Sequence, residues 1–304
     1  MSGGALPTLA AAAVGVQVGA AMVATRYVID ETSPATLALL RYAIGLVCLI
    51  PPLLATARPR FAARDIVPIA VLGVIQFGLL IAALNYGLKF VPAARGALIF
   101  ATFPLLTMLL AAAFRLERMT PAKTLGVTLS IVGVGMTLSE TAFAASSGAS
   151  EWIGALAVLA SAFMGALCSI LYRPYLRKYP TLPVSALAMA ASVVFLMLPA
   201  AAEGAFAAAP RFSPGGWAAV AFIGVSSGVG YYVWLWALAR ATPTRVTVFL
   251  SLSPVTASVL GVVLLGENLS PLALAGVAAV VLGLWVAHWR GGEDAARSPA
   301  PGPT

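Results

Sequence analysis

Charge is what this sequence has least of. Only 9% of its 304 residues are charged, against 61% apolar, and the mean hydropathy is +0.98. That balance excludes an ordinary soluble domain. Histidine occurs once, as His288, and cysteine twice, as Cys48 and Cys168 in separate apolar runs. A disulfide framework and a metal cluster are thereby excluded, and both cysteines suit small packing positions. No Lys or Arg precedes the first apolar run, which is too long for a signal-peptide core and reads as the first membrane helix. The ten acidic residues all fall in connections, at span ends or in the tail, so no mid-membrane carboxylate is present. This argues against proton antiport of cationic drugs, which needs a buried acid. It leaves facilitated export down a gradient, or coupling through an interfacial glutamate.

Apolar runs are what the chain has in abundance. Crossing roughly 30 Å of hydrocarbon takes about 20 apolar residues. Ten such runs are centred on residues 6–28, 34–55, 66–88, 93–114, 120–138, 150–172, 183–203, 215–238, 244–265 and 270–289. No residues remain for a soluble catalytic domain. The net charge of +8 is distributed by side: thirteen Lys and Arg lie in the even-numbered connections and the C-terminal tail, while Arg26, Lys89, Arg95 and Arg211 lie opposite. The positive-inside rule then puts both termini in the cytoplasm. A nucleic-acid surface would gather that charge on one folded face instead. The tail at 290–304, rich in Gly, Pro and Ala, is expected to be disordered.

The chain also repeats itself. Tyr86–Met136 aligns without a gap on Trp236–Val286, an offset of 150 residues, with Arg95, Pro104, Glu117, Pro121, Gly126 and Gly133 falling on Arg245, Pro254, Glu267, Pro271, Gly276 and Gly283. Five helices per unit is an odd number, so the second copy enters the membrane from the opposite side. Loop charge agrees: the connection with Arg115, Arg118 and Lys123 has a repeat mate without cations. The fold class expected is therefore an all-α polytopic membrane protein, ten transmembrane helices in a five-plus-five inverted repeat around a central cavity. Residues 1–139 form the first repeat, 140–149 a periplasmic connection, 150–289 the second repeat and 290–304 the tail.

Both repeats carry Pro-(x)12-Glu-x-[ML]-[TS]-Pro-(x)4-Gly, starting at Pro104 and Pro254. Thr120 and Ser270 suit helix N-caps before a first-turn proline. Glu117 and Glu267 suit acids that accept backbone N–H bonds at the start of the following helix, and alternatively a proton or substrate site. Pro104 and Pro254 bend helices 4 and 9, either as static kinks or as gating hinges. With Gly15, Arg26, Pro34 and Arg41, these elements resemble the drug/metabolite transporter superfamily, specifically its ten-helix EamA-type exporters, over residues 6–289. Within that group the chain looks most like the YddG-type exporters of aromatic and other neutral amino acids. Arg41 has no charged mate in helix 7, and Asn268 stands where Arg118 does.

Polar side chains in mid-span face protein or water. Candidate substrate-binding residues are Gln17, Gln76, Ser161 and Ser226, with Ser227 beside the last, and Gln76 and Ser226 are repeat mates. Phe77, Phe100, Phe163 and Tyr231 complete an apolar aromatic pocket suited to a moderately hydrophobic zwitterion. Taken singly, each polar group also suits a helix-bridging hydrogen bond and each aromatic plain packing. Trp152, Trp217, Trp285, Trp289, Tyr172 and Tyr179 sit at span ends as interfacial anchors would. Arg41 either neutralises a substrate carboxylate or, the preferred reading, snorkels outward to Asp30 or Glu31. Helices 5 and 10, rich in glycine and nearly free of polar groups, are expected at the periphery, where they suit a homodimer contact.

The resemblance and the residues together imply a bacterial inner-membrane exporter of amino acids working by alternating access, with no cofactor, in contact with lipid and with its small-molecule substrate, and with no nucleic-acid partner. The alternative is a permease or efflux carrier for another small metabolite or a hydrophobic toxic compound. An intramembrane enzyme would need a nucleophile–base pair or a metal cluster that the spans lack.

Overall fold

The computed structural model describes residues 5–55, 61–116, 120–143, 149–207 and 210–296, and every regular element among them is helical. Lipid offers no partner to backbone N–H and C=O groups, so long apolar runs close their hydrogen bonds internally. In chain order the helices are α1 (Ala5–Val28), α2 (Pro34–Leu54), α3 (Ala63–Leu88), α4 (Ala93–Ala113), α5 (Pro121–Phe143), α6 (Ala149–Leu171), α7 (Thr181–Ala202), α8 (Pro214–Leu238), α9 (243–265) and α10 (Pro271–Ala296). A short helix, Arg173–Lys178, follows α6. Eight helices are long and apolar enough to cross a membrane; the apolar parts of α5 and α10, at Thr124–Gly133 and Pro271–Gly283, are shorter. The outer faces are apolar as lipid requires: Leu198 is 74% exposed and Val263 71%.

Local chemistry sets the helix ends. Proline occupies the first turn of α2, α5, α8 and α10, where its missing N–H is no loss. Ser213 accepts a bond from the Gly216 N–H at 2.9 Å, and Ser270 one from the Ala273 N–H at 2.9 Å. Gly266, at φ 64°, closes α9 in the left-handed conformation that only glycine adopts cheaply.

Carboxylates reach across to helix starts as well. Glu267 accepts from the Ala93 and Ala94 N–H groups at 2.7 and 3.2 Å, so it serves the start of α4 and not the following helix α10, as the local sequence suggested. Ser270 already occupies that nearer place. Glu203 does the same for α2 through the Ala35 and Thr36 N–H groups, each at 2.9 Å. Glu31 accepts from the Ser213 N–H at 2.7 Å at the start of α8. Glu117 lies outside the described residues.

Packing recurs crosswise at the 150-residue offset. A methyl group built on Gly228 would meet the Gly45 carbonyl oxygen at 2.6 Å, while one on Gly78 would meet the Phe195 ring at 2.9 Å; 228 is the mate of 78, and 195 of 45. At the periphery α5 and α10 pack on each other. There Gly133 abuts the Gly276 carbonyl and Gly283 the Gly126 carbonyl, each 2.6 Å from a would-be Cβ. These glycines are thus occupied within the chain, because two glycine-bearing faces bring backbones closer than any other pairing.

Several expectations are corrected here. Tyr172 and Tyr179 are not interfacial anchors: they are 1% and 8% exposed, Tyr172 beneath Tyr231 and Tyr179 donating to Asp65 at 2.6 Å. Trp152, Trp217 and Trp285 are exposed, as anchors are, and the Trp289 side chain lies outside what is described. Helix α10 runs on to Ala296 instead of ending at residue 289; 297–304 lie outside the described residues.

Candidate functional site

Where α1, α2, α3, α4, α8 and α9 meet, they line a partly open cavity of about 90 Å³. Its lining follows from helix periodicity. Helix α3 contributes Phe77, Leu80, Ile81 and Leu84, a one-faced i, i+3, i+4, i+7 stripe, and α8 contributes Ser227, Gly230, Tyr231 and Trp234 in the same stripe 150 residues on. Phe100 and Leu250, also repeat mates, come from α4 and α9. The two copies therefore present equivalent positions, but not equivalent residues, to one space.

The remaining wall comes from the first copy: Val14, Gln17, Val18 and Met22 of α1 and Arg41 and Tyr42 of α2. The aromatic rings form continuous rows. Tyr42 and Phe77 are 4.7 Å apart between centroids, Phe77 and Tyr231 4.1 Å; Phe103 stands 5.5 Å from Phe100 and 6.1 Å from Trp234. Edge-on and tilted contacts of this kind fix the rings in place.

Irregular backbone surrounds the same space. Residues Val74–Leu79 of α3 form a π-helical turn, and it holds Gln76 and Phe77; such turns inside α-helices often mark functional sites. Helix α4 breaks at 101–102 between Ala93–Phe100 and Phe103–Ala113. Helix α9 narrows to a 3-10 turn at Val248–Ser251. Pro104 and Pro254 stand just after these breaks, since each removes the N–H that would bond the carbonyl four residues earlier. Beside Pro254 a hydroxyl satisfies the loosened carbonyl, Ser253 donating to Leu250 O at 2.7 Å, while at the other break Thr102 donates to Ile99 O at 2.8 Å.

Polar groups on the cavity wall are few. Gln17 Nε2 donates to Ser226 Oγ at 3.1 Å, bridging α1 and α8. Gln76 makes no side-chain hydrogen bond among the described residues, which leaves its amide to the cavity. The Tyr231 hydroxyl is buried without a partner. Arg41 is 7% exposed and its Nε donates to Ser227 Oγ at 2.6 Å. The expected snorkel to Asp30 or Glu31 is therefore wrong. Asp30 is held by Arg26 at 3.0 Å and Glu31 by Ser213, and Arg41 lies two turns inside α2, turned inward by its helix phase. Burying a cation at depth costs about 2.5–3.5 kcal/mol even on the mildest insertion scale. One neutral hydroxyl does not offset that.

Of the residues singled out from sequence, Gln17, Gln76, Phe77, Phe100 and Tyr231 line the cavity together, and Ser226 backs it through Gln17. Ser161 and Phe163 do not. Ser161 is fully buried but donates to Val158 O of its own helix at 2.6 Å, and Phe163, 200° further round, is 46% exposed on the outer face. The sequence reading missed Tyr42, Phe103 and the partnering of Arg41 with Ser227; the i, i+3, i+4, i+7 stripes at the two repeat positions carried a signal for the others.

A model of the EamA-like transporter family matches residues 6–139 and 152–289. The chain is similar to a probable terminal-alkyne amino-acid exporter of Streptantibioticus cattleyicolor, 35% identical over 240 residues that cover 78% of this chain and 77% of that one. An uncharacterized transporter of Archaeoglobus fulgidus is 26% identical over 275 residues, 88% of this chain and 93% of its own length. A solved crystal structure superposes with a TM-score of 0.69 at 23% identity, over 96% of this chain and 98% of the other, a likeness that speaks for the fold alone.

Proposed function

The chain belongs to the EamA-like transporter family, and from that premise we propose that it exports amino acids, aromatic and other neutral ones, across the bacterial inner membrane. The observation that carries this reading is the cavity itself: aromatic walls with a few convergent polar groups, reached by both repeats. The named amino-acid exporter among its relatives supports the substrate class.

The mechanism proposed is alternating access between two inverted five-helix repeats, with both termini cytoplasmic and ten spans in all. The crosswise glycine contacts and the paired α3 and α8 stripes support a two-fold relation between the halves. At about 90 Å³ the space is smaller than the roughly 300–1,000 Å³ of small-molecule sites. Substrate thus enters as the halves part, with the breaks before Pro104 and Pro254 as hinges. Glu267 and Glu203 tie helix starts in one half to the other half, so these bonds are the natural ones to open and close. No carboxylate lines the cavity among the described residues, which supports export down a gradient or coupling at these interfacial glutamates. The lipid-facing surfaces left on the α5–α10 pair are where a homodimer would form.

Counterflow of radiolabelled phenylalanine and leucine in proteoliposomes tests the proposal. Saturable, trans-stimulated exchange is expected; flux that never saturates would point to a channel. The largely apolar walls favour a second reading, a carrier for another hydrophobic metabolite or toxic compound, and exchange of such compounds but of no amino acid would select it.

A further inference from the structure

Among the described residues Arg41 is the one charged side chain on the cavity wall, and no carboxylate neutralises it. The described carboxylates are engaged elsewhere: Asp30 with Arg26, Asp65 with Lys178 and Tyr179, Glu151 with Arg95, and Glu31, Glu203 and Glu267 with backbone N–H groups at helix starts. Ser227 takes the Nε proton at 2.6 Å and fixes the guanidinium plane, and the Tyr42 ring lies 5.7 Å from its centre. The two terminal nitrogens make no bond to the described protein. A planar fork held by its root and open at its tip is the geometry that binds a carboxylate through two parallel bonds.

Nothing comparable awaits an ammonium group. Among the described residues no carboxylate lines the cavity; the amide oxygens of Gln17 and Gln76 are neutral, and a neutral acceptor takes a hydroxyl as readily as an amine. Resting on the export reading above, we propose that Arg41, clamped by Ser227, is the carboxylate anchor of the transport site, and that the site selects apolar monocarboxylates whether or not they carry an α-amino group. The substrate supplies the anion that the fold leaves out, which also accounts for a lone cation in a chain so poor in charge.

The test uses purified full-length protein. Thermal stabilisation by, and inhibition of phenylalanine counterflow by, 3-phenylpropanoate, phenyllactate, phenylalanine amide and 2-phenylethylamine are compared with those of phenylalanine. Both amine-free acids should act within about 5-fold of phenylalanine, and the amide and the amine about 100-fold more weakly, the scale of losing a hydrogen bond to a charged group. Arg41→Gln should shrink that difference to under about 5-fold, and Arg41→Lys, which keeps charge but loses the fork, should fall between. The wild-type series decides the matter even where Arg41→Gln does not fold. Amide and amine acting as well as the acids would overturn the anchor while leaving amino-acid export intact. A loss of potency in both amine-free acids would overturn the indifference to the α-amino group. Acid-selective stabilisation with no amino-acid exchange would do the reverse, retaining the anchor and removing the export reading.

Discussion

The wall built by α1 and α2 and the equivalent wall built by α6 and α7 share one plan and differ in every residue that matters. Gln17, Val18, Met22, Arg41 and Tyr42 face open space; their mates Leu167, Cys168, Tyr172, Ala191 and Ser192 do not line it. Cys168 is fully buried and Tyr172 nearly so. A substrate has no two-fold axis, so a duplicated scaffold gains nothing from a duplicated site. The first copy supplies most of the polar lining, Gln17, Arg41, Tyr42 and Gln76, and the second adds Ser227 and Tyr231 from α8.

That contrast can be broken most severely at the shared contacts. Gly228→Leu drives a side chain into the Gly45 backbone and should lower stability by about 3 kcal/mol or more, read as thermal unfolding in detergent. Its mate Gly78 meets only the Phe195 ring, which can turn aside, so Gly78→Ala should cost clearly less than Gly228→Ala. Equal losses would mean that the two halves are packed more alike than this.

Within the cavity, Tyr231→Ala should cut counterflow by about 10-fold, consistent with losing a buried aromatic contact of about 1.4 kcal/mol or more, without reducing membrane insertion. Gln76→Ala should lower it less, by about 5-fold, and Ser226→Ala by about 2-fold, because Ser226 only braces Gln17. A larger effect at Ser226 than at its mate would reverse the assignment of which copy holds the substrate.

The smallest effects should lie outside the site. Glu267→Gln keeps the shape but removes the charge at the start of α4, worth about 1 kcal/mol of stability in thermal unfolding. Phe163→Ala, on the outer face, should leave substrate affinity within about 2-fold, as expected of an exposed side chain away from the site. A strong affinity loss there would return Phe163 to the pocket.

Much of this architecture could be read directly from residues. The apolar runs predicted the helices within a few residues, because hydrocarbon leaves the backbone no alternative to the helix. Gln17, Gln76, Phe77, Phe100 and Tyr231 were legible because a polar or aromatic group in mid-span is rare enough to be noticed. Helix phase was harder: Ser161 and Phe163 are two residues apart and point to different sides, and in a chain that is apolar throughout no polar stripe reveals which side faces inward.

Arg41 shows where sequence stops. Its position near a helix start, close along the chain to Asp30 and Glu31, made a local ion pair the natural inference; across 186 residues, Ser227 gave the real partner. The sequence alone determined that this is a bundle of apolar helices built twice, since chain length, hydropathy and repeat offset act locally and survive any arrangement. Only the tertiary structure decided which face of each helix meets the cavity, which acid caps which distant helix, and that one cation stands inside held by a hydroxyl, with no carboxylate partner among the described residues. Those depend on how helices rotate against one another, and rotation is set by packing that no single segment encodes.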